Sequence, residues 1–252
     1  MLKGGLLLLV WFGESIRPTR DADLLGFGDL SSEAIAKILA EVCALEVEPD
    51  ALTYDASSIL VTAIRPDDDY GGCRATLRAR LGPACLRVQV DVGIGDAVTP
   101  EPEWLEYPSL LDFPRPRLRA YRPETMIAEK LHALVTLGMQ NSRMRDLFDI
   151  YALAERRSFD GSCLLQAVRA TFERRRTEIP RELPLALTPA FAGDAAKRAQ
   201  WRSFLRKNAL SKAPEDLREV IESIAGFLGP VLEAAQQRIE APCIWPPGGP
   251  WQ

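Results

Sequence analysis

The stretch RPTRDADLLGFGD, residues 17–29, decides how this chain is read. Two carboxylates, Asp21 and Asp23, stand two positions apart directly after a basic segment. TRDADLL reads as a short strand, and the side chains of a strand alternate between its faces. Asp21 and Asp23 therefore share one face, with Ala22 on the other. Carboxylates held that close repel each other unless a cation lies between them. An oxygen-only pair suits Mg²⁺, which takes one or two protein carboxylates and fills its shell with water and substrate phosphates. Taken alone, most such pairs are surface decoration, so the meaning of this one rests on its surroundings.

Upstream lies Gly4-Gly5, a tight entry where backbone can approach another group closely, and then an apolar run over residues 6–12. That run is either strand or helix by periodicity. It is too short to span a bilayer, and no small-residue cleavage site precedes Glu14, so it reads as a buried element rather than a leader. Downstream, Ser32 is expected to cap a helix through Cys43 with Ile35, Ile38 and Leu39 inward. SSILVTAI (57–64) is a buried-strand candidate and RPDDDYGG (65–72) a turn. CRATLRARL (73–81) alternates Ala75, Leu77 and Ala79 against Arg74, Thr76 and Arg78. After Gly82-Pro83, CLRVQVDVGI (85–94) places Leu86, Val88, Val90, Val92 and Ile94 on one face and Arg87, Gln89 and Asp91 on the other. These three segments read as a β-meander. Asp91 is then either the solvent side of an antiparallel strand or the third acid of a cluster. Three aspartates holding two metals would align an attacking hydroxyl with a departing pyrophosphate.

A net charge of −4 over 252 residues means that any nucleic-acid contact must come from a local patch. The 47% apolar and 26% charged fractions are those of a globular chain with a sizeable core. Five scattered cysteines without a CxxC pair argue against a disulfide framework and a zinc site, and fit a reducing, cytoplasmic setting. A lone histidine, His132, excludes His-rich metal centres and disfavours a Ser-His-Asp triad.

The proline-rich connector TPEPEWLEYPSLLDFPRPRLRAYRP (99–123) is the best domain boundary. It divides the chain into residues 1–120, a helical domain over 121–240 and an irregular tail over 241–252. Helices are expected over 123–138, 142–156, 161–177, 194–207 and 214–239, the last bent at Gly229-Pro230. In RPETMIAEKLHALVTLG (122–138), Met126, Ile127, Leu131 and Leu134 form an apolar stripe. Lys130 sits inside it, and either snorkels past the edge or points at an anion. His132 faces away and reads as surface or packing. In NSRMRDLFDIYALAE (141–155), Ser142 is a plausible cap, and Asp146 and Asp149 share a face near the helix start. Acids there also suit the helix dipole. Arg143 and Arg145 beside them could contact phosphate or pair with acids. Arg174, Arg175 and Arg176 at a helix end could hold a nucleic-acid backbone, although the structural role of C-terminal cations is slightly favoured.

The segments LKGGLLLL, RPTRDADLL, VDVGIGDAVTP, YRPETMIAEKLHALV, NSRMRDLFDIY and AVRATFERRRTEIP occur in this order between Leu2 and Pro180. Together they resemble the successive motifs of the AbiEii-type nucleotidyltransferase toxin family. The resemblance implies an α+β protein: an N-terminal nucleotidyltransferase fold with a mixed sheet and flanking helices, followed by a C-terminal helical bundle lobe. It implies a toxin of a toxin–antitoxin or abortive-infection system. The NTP is its substrate, Mg²⁺ its cofactor (two ions possible), and the 3′ end of tRNA the expected acceptor. The antitoxin would be encoded nearby, with direct binding unspecified, and no membrane partner is implied. Carried over by motif, Asp21, Asp23 and Asp91 hold metal, and Gly4, Gly5 and Thr19 approach the triphosphate. Lys130 meets its phosphates, Arg143 and Arg145 assist, and Asp146, followed by Asp149, acts at the acceptor. Family members carry helices before the LKGG motif, and only residues 1–3 stand here for the strand expected before Gly4, so the resemblance implies either a start codon placed too far downstream or an N-terminal truncation that would impair activity. Two alternatives stand beside this reading: a small-molecule (antibiotic) nucleotidyltransferase, and a catalytically dead nucleotide-binding or interaction protein.

Overall fold

Alternating side chains and one two-residue turn build the sheet that dominates the first half of the chain. The computed structural model describes residues 1–64, 71–109 and 111–252; most of the expected 65–72 turn lies outside the described residues. The chain divides into two units, the first made of Met1–Asp96 with Trp104–Ala120, the second of Ala97–Glu103 with Tyr121–Gln252.

In the first unit, β1 (Leu2–Lys3), β2 (Asp21–Gly26), β3 (Leu52–Ile64), β4 (Gly72–Leu81), β5 (Ala84–Ile94), β6 (Glu103–Glu106) and β7 (Arg117–Ala120) form one mixed sheet. Its order is β3-β4-β5-β2-β1-β7-β6. The expected meander is present: β4 pairs antiparallel with both β3 and β5. Gly82, at φ +55°, and Pro83 close the β4–β5 turn and so fix its register, Leu81 facing Ala84 and Arg74 facing Asp91. Strand β2 then lies parallel to β5, with Asp23 beside Asp91. The short strands β6 and β7 lie inside the proline-rich connector, where Pro100, Pro102, Pro108, Pro114 and Pro116 hide any strand pattern.

The ambiguous run over residues 6–12 resolves as a helix: α1 (Leu7–Phe12) buries Leu7 and Leu8 and stops at Gly13, which has a left-handed backbone. Helix α2 (Ser32–Cys43) is capped one residue earlier than expected, by the Ser31 hydroxyl accepting from the Ala34 N–H. Ile35 and Leu39 meet Cys73, Ala75, Val61 and Val92 across the apolar face of the sheet. Ile38, expected inward, is 52% exposed, because the buried stripe follows the four-residue step from Ile35 to Leu39 and leaves Ile38 at its edge.

The second unit is helical: α3 (Pro123–Leu137), α4 (Met144–Arg156), α5 (Gly161–Arg174), α6 (Pro189–Gly193), α7 (Ala195–Lys207) and α8 (Leu217–Gln237). Pro123 opens α3, where its missing N–H is harmless. Asp160, Asp194 and Asp216 cap α5, α7 and α8 with their carboxylates. Ser142 does not cap α4: the cap position is Arg143, and Asn141 accepts the Arg143 N–H instead. Pro230 lies inside α8. The final residues, expected to be irregular, contain β9 (Ile244–Trp245), which pairs with β8 (Phe159–Asp160). The Trp245 indole there donates to the Ala154 carbonyl and Trp251 to that of Phe227. No described helix is long and apolar enough to cross a membrane.

Candidate active site

The parallel pairing of β2 with β5 brings the acids together. Strand alternation puts Asp21 and Asp23 on one face, and register sets Asp91 beside Asp23 on that face. Carboxylate oxygens of Asp21, Asp23 and Asp91 lie within 4.8 Å of one another, all three side chains half-buried. Among the described residues, no other group of three metal-ligating side chains is this close. Three oxygen donors on one wall, each still reached by solvent, fit a hard divalent cation.

Two cationic and amide donors already serve this cluster. The Arg74 guanidinium makes a bidentate bond to Asp91, 2.8 Å from Nε to Oδ1 and 2.7 Å from Nη2 to Oδ2. The amide of Gln89 donates more loosely to Asp91 Oδ1 at 3.3 Å. The Arg74 pKa is raised, first by its hydrogen bond to Asp91, against partial desolvation, and further by the charges of Asp91, Asp21 and Asp23. Thr19 donates its hydroxyl to Asp21 Oδ1 at 3.3 Å.

Gly4 and Gly5 follow β1, whose Lys3 pairs with Asp23. Gly4 has φ +72°, and a Cβ on it would lie 2.0 Å from Asp23 Oδ2. A Cβ on Gly5 would meet the Arg17 guanidinium at 2.8 Å and Thr19 Oγ1 at 3.0 Å. Gly4 thus lets backbone pass directly beside Asp23, where a side chain at this φ would displace the carboxylate. Lys3 also forms a 2.5 Å ion pair with Asp96, at the end of the same segment that carries Asp91.

The second unit holds its own cluster. Lys130 projects from α3 to Asp146 at 2.6 Å and to Asp149 at 2.9 Å, both on α4. Arg143 adds a 3.0 Å pair to Asp146. Asp149 is fully buried and Asp146 nearly so. Burial would lower the Lys130 pKa, but the two carboxylates together outweigh it and leave it raised. Lys130 therefore neither snorkels nor stands alone in the apolar stripe. Arg145 is exposed on α4.

His132 is buried, edge-on to Phe172 at 5.2 Å between ring centroids. Arg175 can only donate, so its 3.2 Å contact makes Nδ1 the acceptor. Nε2 then carries the proton and donates to Thr177 Oγ1 at 2.8 Å. Burial, aided by the Arg175 charge, lowers the His132 pKa to about 4. Of the two roles expected for it, surface or packing, His132 has the packing one, and its contact gives Arg175 a structural role.

Within the first unit the structure thus gathers Asp21, Asp23, Asp91, Gly4, Gly5 and Thr19. Within the second it gathers Lys130, Asp146, Asp149 and Arg143. Arg74, Arg17 and the Lys3–Asp96 pair were missed from sequence. Arg74 had a signal: a two-residue turn at Gly82-Pro83 dictates that it faces Asp91. Arg17 had none, its place depending on the fold of the loop before β2.

A family model described as the nucleotidyl transferase AbiEii toxin of a type IV toxin–antitoxin system matches residues 1–223. Two solved structures are similar in fold. One, a candidate nucleotidyltransferase from Helicobacter pylori, has a TM-score of 0.52 at 16% identity, covering 95% of this chain and 88% of its own. The other, JHP933 from Helicobacter pylori, has a TM-score of 0.50 at 16% identity, covering 94% and 85%. No curated protein matches the chain.

Proposed function

This chain belongs to the AbiEii family of nucleotidyl transferase toxins of type IV toxin–antitoxin systems, and from that premise we propose a specific reaction. A nucleotide passes from a nucleoside triphosphate to the 3′ end of tRNA, with Mg²⁺ held by Asp21, Asp23 and Asp91. The observation that carries this reading is the convergence of those three carboxylates beside a glycine pair whose backbone packs against Asp23 and Thr19. Bound there, the metal supplies charge neutralisation and alignment for phosphoryl chemistry.

The chain's own groups do the rest. The acceptor hydroxyl oxygen bonds to the α-phosphorus as the bond to pyrophosphate breaks and the hydroxyl proton leaves, with Asp146 assigned to position or deprotonate that hydroxyl. Gly4 and Gly5 offer backbone N–H groups to the triphosphate, and Thr19 keeps Asp21 oriented. Lys130, Arg143 and Arg145 balance phosphate charge. Because Lys130 grips both Asp146 and Asp149, it also positions the acid assigned to the acceptor. The cognate antitoxin is expected to be encoded beside the toxin gene.

Induced expression tests the reading. The parent chain is expected to arrest growth, and Asp21→Ala and Asp91→Ala are each expected to relieve the arrest at equal protein level. Arrest undiminished in both variants would remove the site assignment. Label from a triphosphate appearing in an aminoglycoside rather than in tRNA would favour the small-molecule alternative.

A further inference from the structure

The sheet face that bears Asp91 continues as a row of arginines toward the Gly82 turn. On β4, Arg74, Arg78 and Arg80 share that face, and on β5 so do Arg87, Gln89 and Asp91. The turn register sets Arg74 opposite Asp91, Thr76 opposite Gln89, and Arg78 directly opposite Arg87. Helix α2 covers the other face of these strands, through Cys73, Ala75, Val90 and Val92. The arginine face is open: the Arg78 side chain is 64% exposed, and Arg80 and Arg87 are exposed as well.

Like charges directly opposite each other on a strand pair are destabilising. A single surface bond, Arg78 to Asp55 at 2.9 Å, offsets only part of this, since exposed pairs contribute little. Among the described residues no acid pairs with Arg80 or Arg87. A chain of net charge −4 has nonetheless placed four guanidiniums on one strand pair beside its acid cluster. From Arg74 to Arg80 the row runs roughly 20 Å, at about 3.4 Å per residue. A single phosphate would occupy one step of it. A polymer with an anionic group at every repeat would occupy the whole.

We infer that the β4–β5 face is the docking track for the sugar-phosphate backbone of the RNA acceptor, with Arg78 and Arg87 as its central phosphate contacts. Arg80 extends the track away from the acids. Arg74 ends it at Asp91, so the RNA end delivered along it arrives at the acid cluster. This rests on the nucleotidyl transfer reading above, because the track is argued from where it leads. Arg78 and Arg87 are positioning residues: they hold RNA and do not touch the reacting phosphorus.

Binding of end-labelled total tRNA to the full chain, titrated over a range of salt, tests the track. Arg78→Gln with Arg87→Gln is expected to weaken binding on the order of tenfold and to lower the salt slope by about two, one per lost phosphate contact. Arg78→Lys with Arg87→Lys, which keeps the charge, is expected to retain most of the affinity and slope. Both residues are exposed, so thermal midpoints should stay near the parent value. Equal affinity and slope in the glutamine variant would overturn the inference, as would a parent chain that binds no tRNA. A glutamine variant that keeps its tRNA but loses a protein partner would also overturn it and assign the face to that partner. Calorimetry of the parent chain with Mg²⁺ and each ribonucleoside triphosphate keeps the two readings apart. Nucleotide binding with unaltered RNA binding in the variant sinks the track alone, whereas absent nucleotide binding sinks the transferase reading.

Discussion

Arg74 and Asp91 face each other across β4 and β5 and share two parallel hydrogen bonds of 2.8 and 2.7 Å. The pair holds the third acid of the cluster in a fixed rotamer and occupies both of its oxygens. A cation binding at Asp21, Asp23 and Asp91 must therefore share Asp91 with a guanidinium. Arg74→Gln removes that competitor and leaves three carboxylates to repel one another. We expect Mn²⁺ titrated without nucleotide, followed by electron paramagnetic resonance, to bind several-fold more tightly to this variant. Unchanged or weaker Mn²⁺ binding would show that Arg74 does not compete for the site.

Gly4 leaves no room for a side chain. Its left-handed φ of +72° already disfavours any other residue by about 1–2 kcal/mol. A Cβ would in addition press on Asp23 Oδ2. Gly4→Ala is expected to lower the midpoint of urea unfolding and to reduce nucleotide transfer by more than the lost stability accounts for. Gly13→Ala, also at positive φ but with nothing within 4 Å, is the control, and should show only the backbone effect.

The Lys130 cluster is a buried charge network, and breaking one is worse than never having it. Lys130→Met removes the ammonium that meets the fully buried Asp149 at 2.9 Å. The expected loss is about 3–5 kcal/mol of stability, measured by chemical denaturation. Combining it with Asp149→Asn should restore part of the loss, so that the double variant is less destabilised than the sum of the two single ones. Strict additivity would mean that the two groups do not interact.

These residues also mark how far the sequence could be read. The two-residue period of β2, β4 and β5 made Asp21, Asp23 and Asp91 legible as same-face acids, because alternation is a local property. Alternation alone does not bring them together: their convergence was expected from the order of the segments and the family resemblance, because the parallel pairing of β2 with β5 joins segments far apart in the chain. Lys130 stood out as a charge within an apolar stripe, but its partners lie on another helix, and only helix packing reveals them. Ile38 was misplaced because a twelve-residue helix admits more than one apolar stripe, and contact with Cys73 and Ala75 chooses between them. The strands at Glu103–Glu106 and Arg117–Ala120 are four residues each and flanked by prolines, too short to carry a period.

His132 links folding to pH. Its pKa falls from an unfolded value of 6.5 to about 4, because burial and then Arg175 disfavour the imidazolium. Between those values the unfolded chain binds a proton that the folded chain refuses, so stability falls as pH drops from about 6.5 toward 4. Above that window the contribution is fully present. Thermal midpoints across this range should decline less steeply for His132→Gln than for the parent chain. Parallel curves would show that the histidine does not titrate differently in the two states.

The most direct test of the account is transfer of α-³²P label from each ribonucleoside triphosphate to total tRNA, with and without Mg²⁺, by the parent chain and by Asp21→Asn and Asp91→Asn. The account predicts Mg²⁺-dependent labelling by the parent chain and a loss on the order of a hundredfold or more in each variant. Labelling that persists at the parent rate in both variants, or without divalent metal, would contradict it.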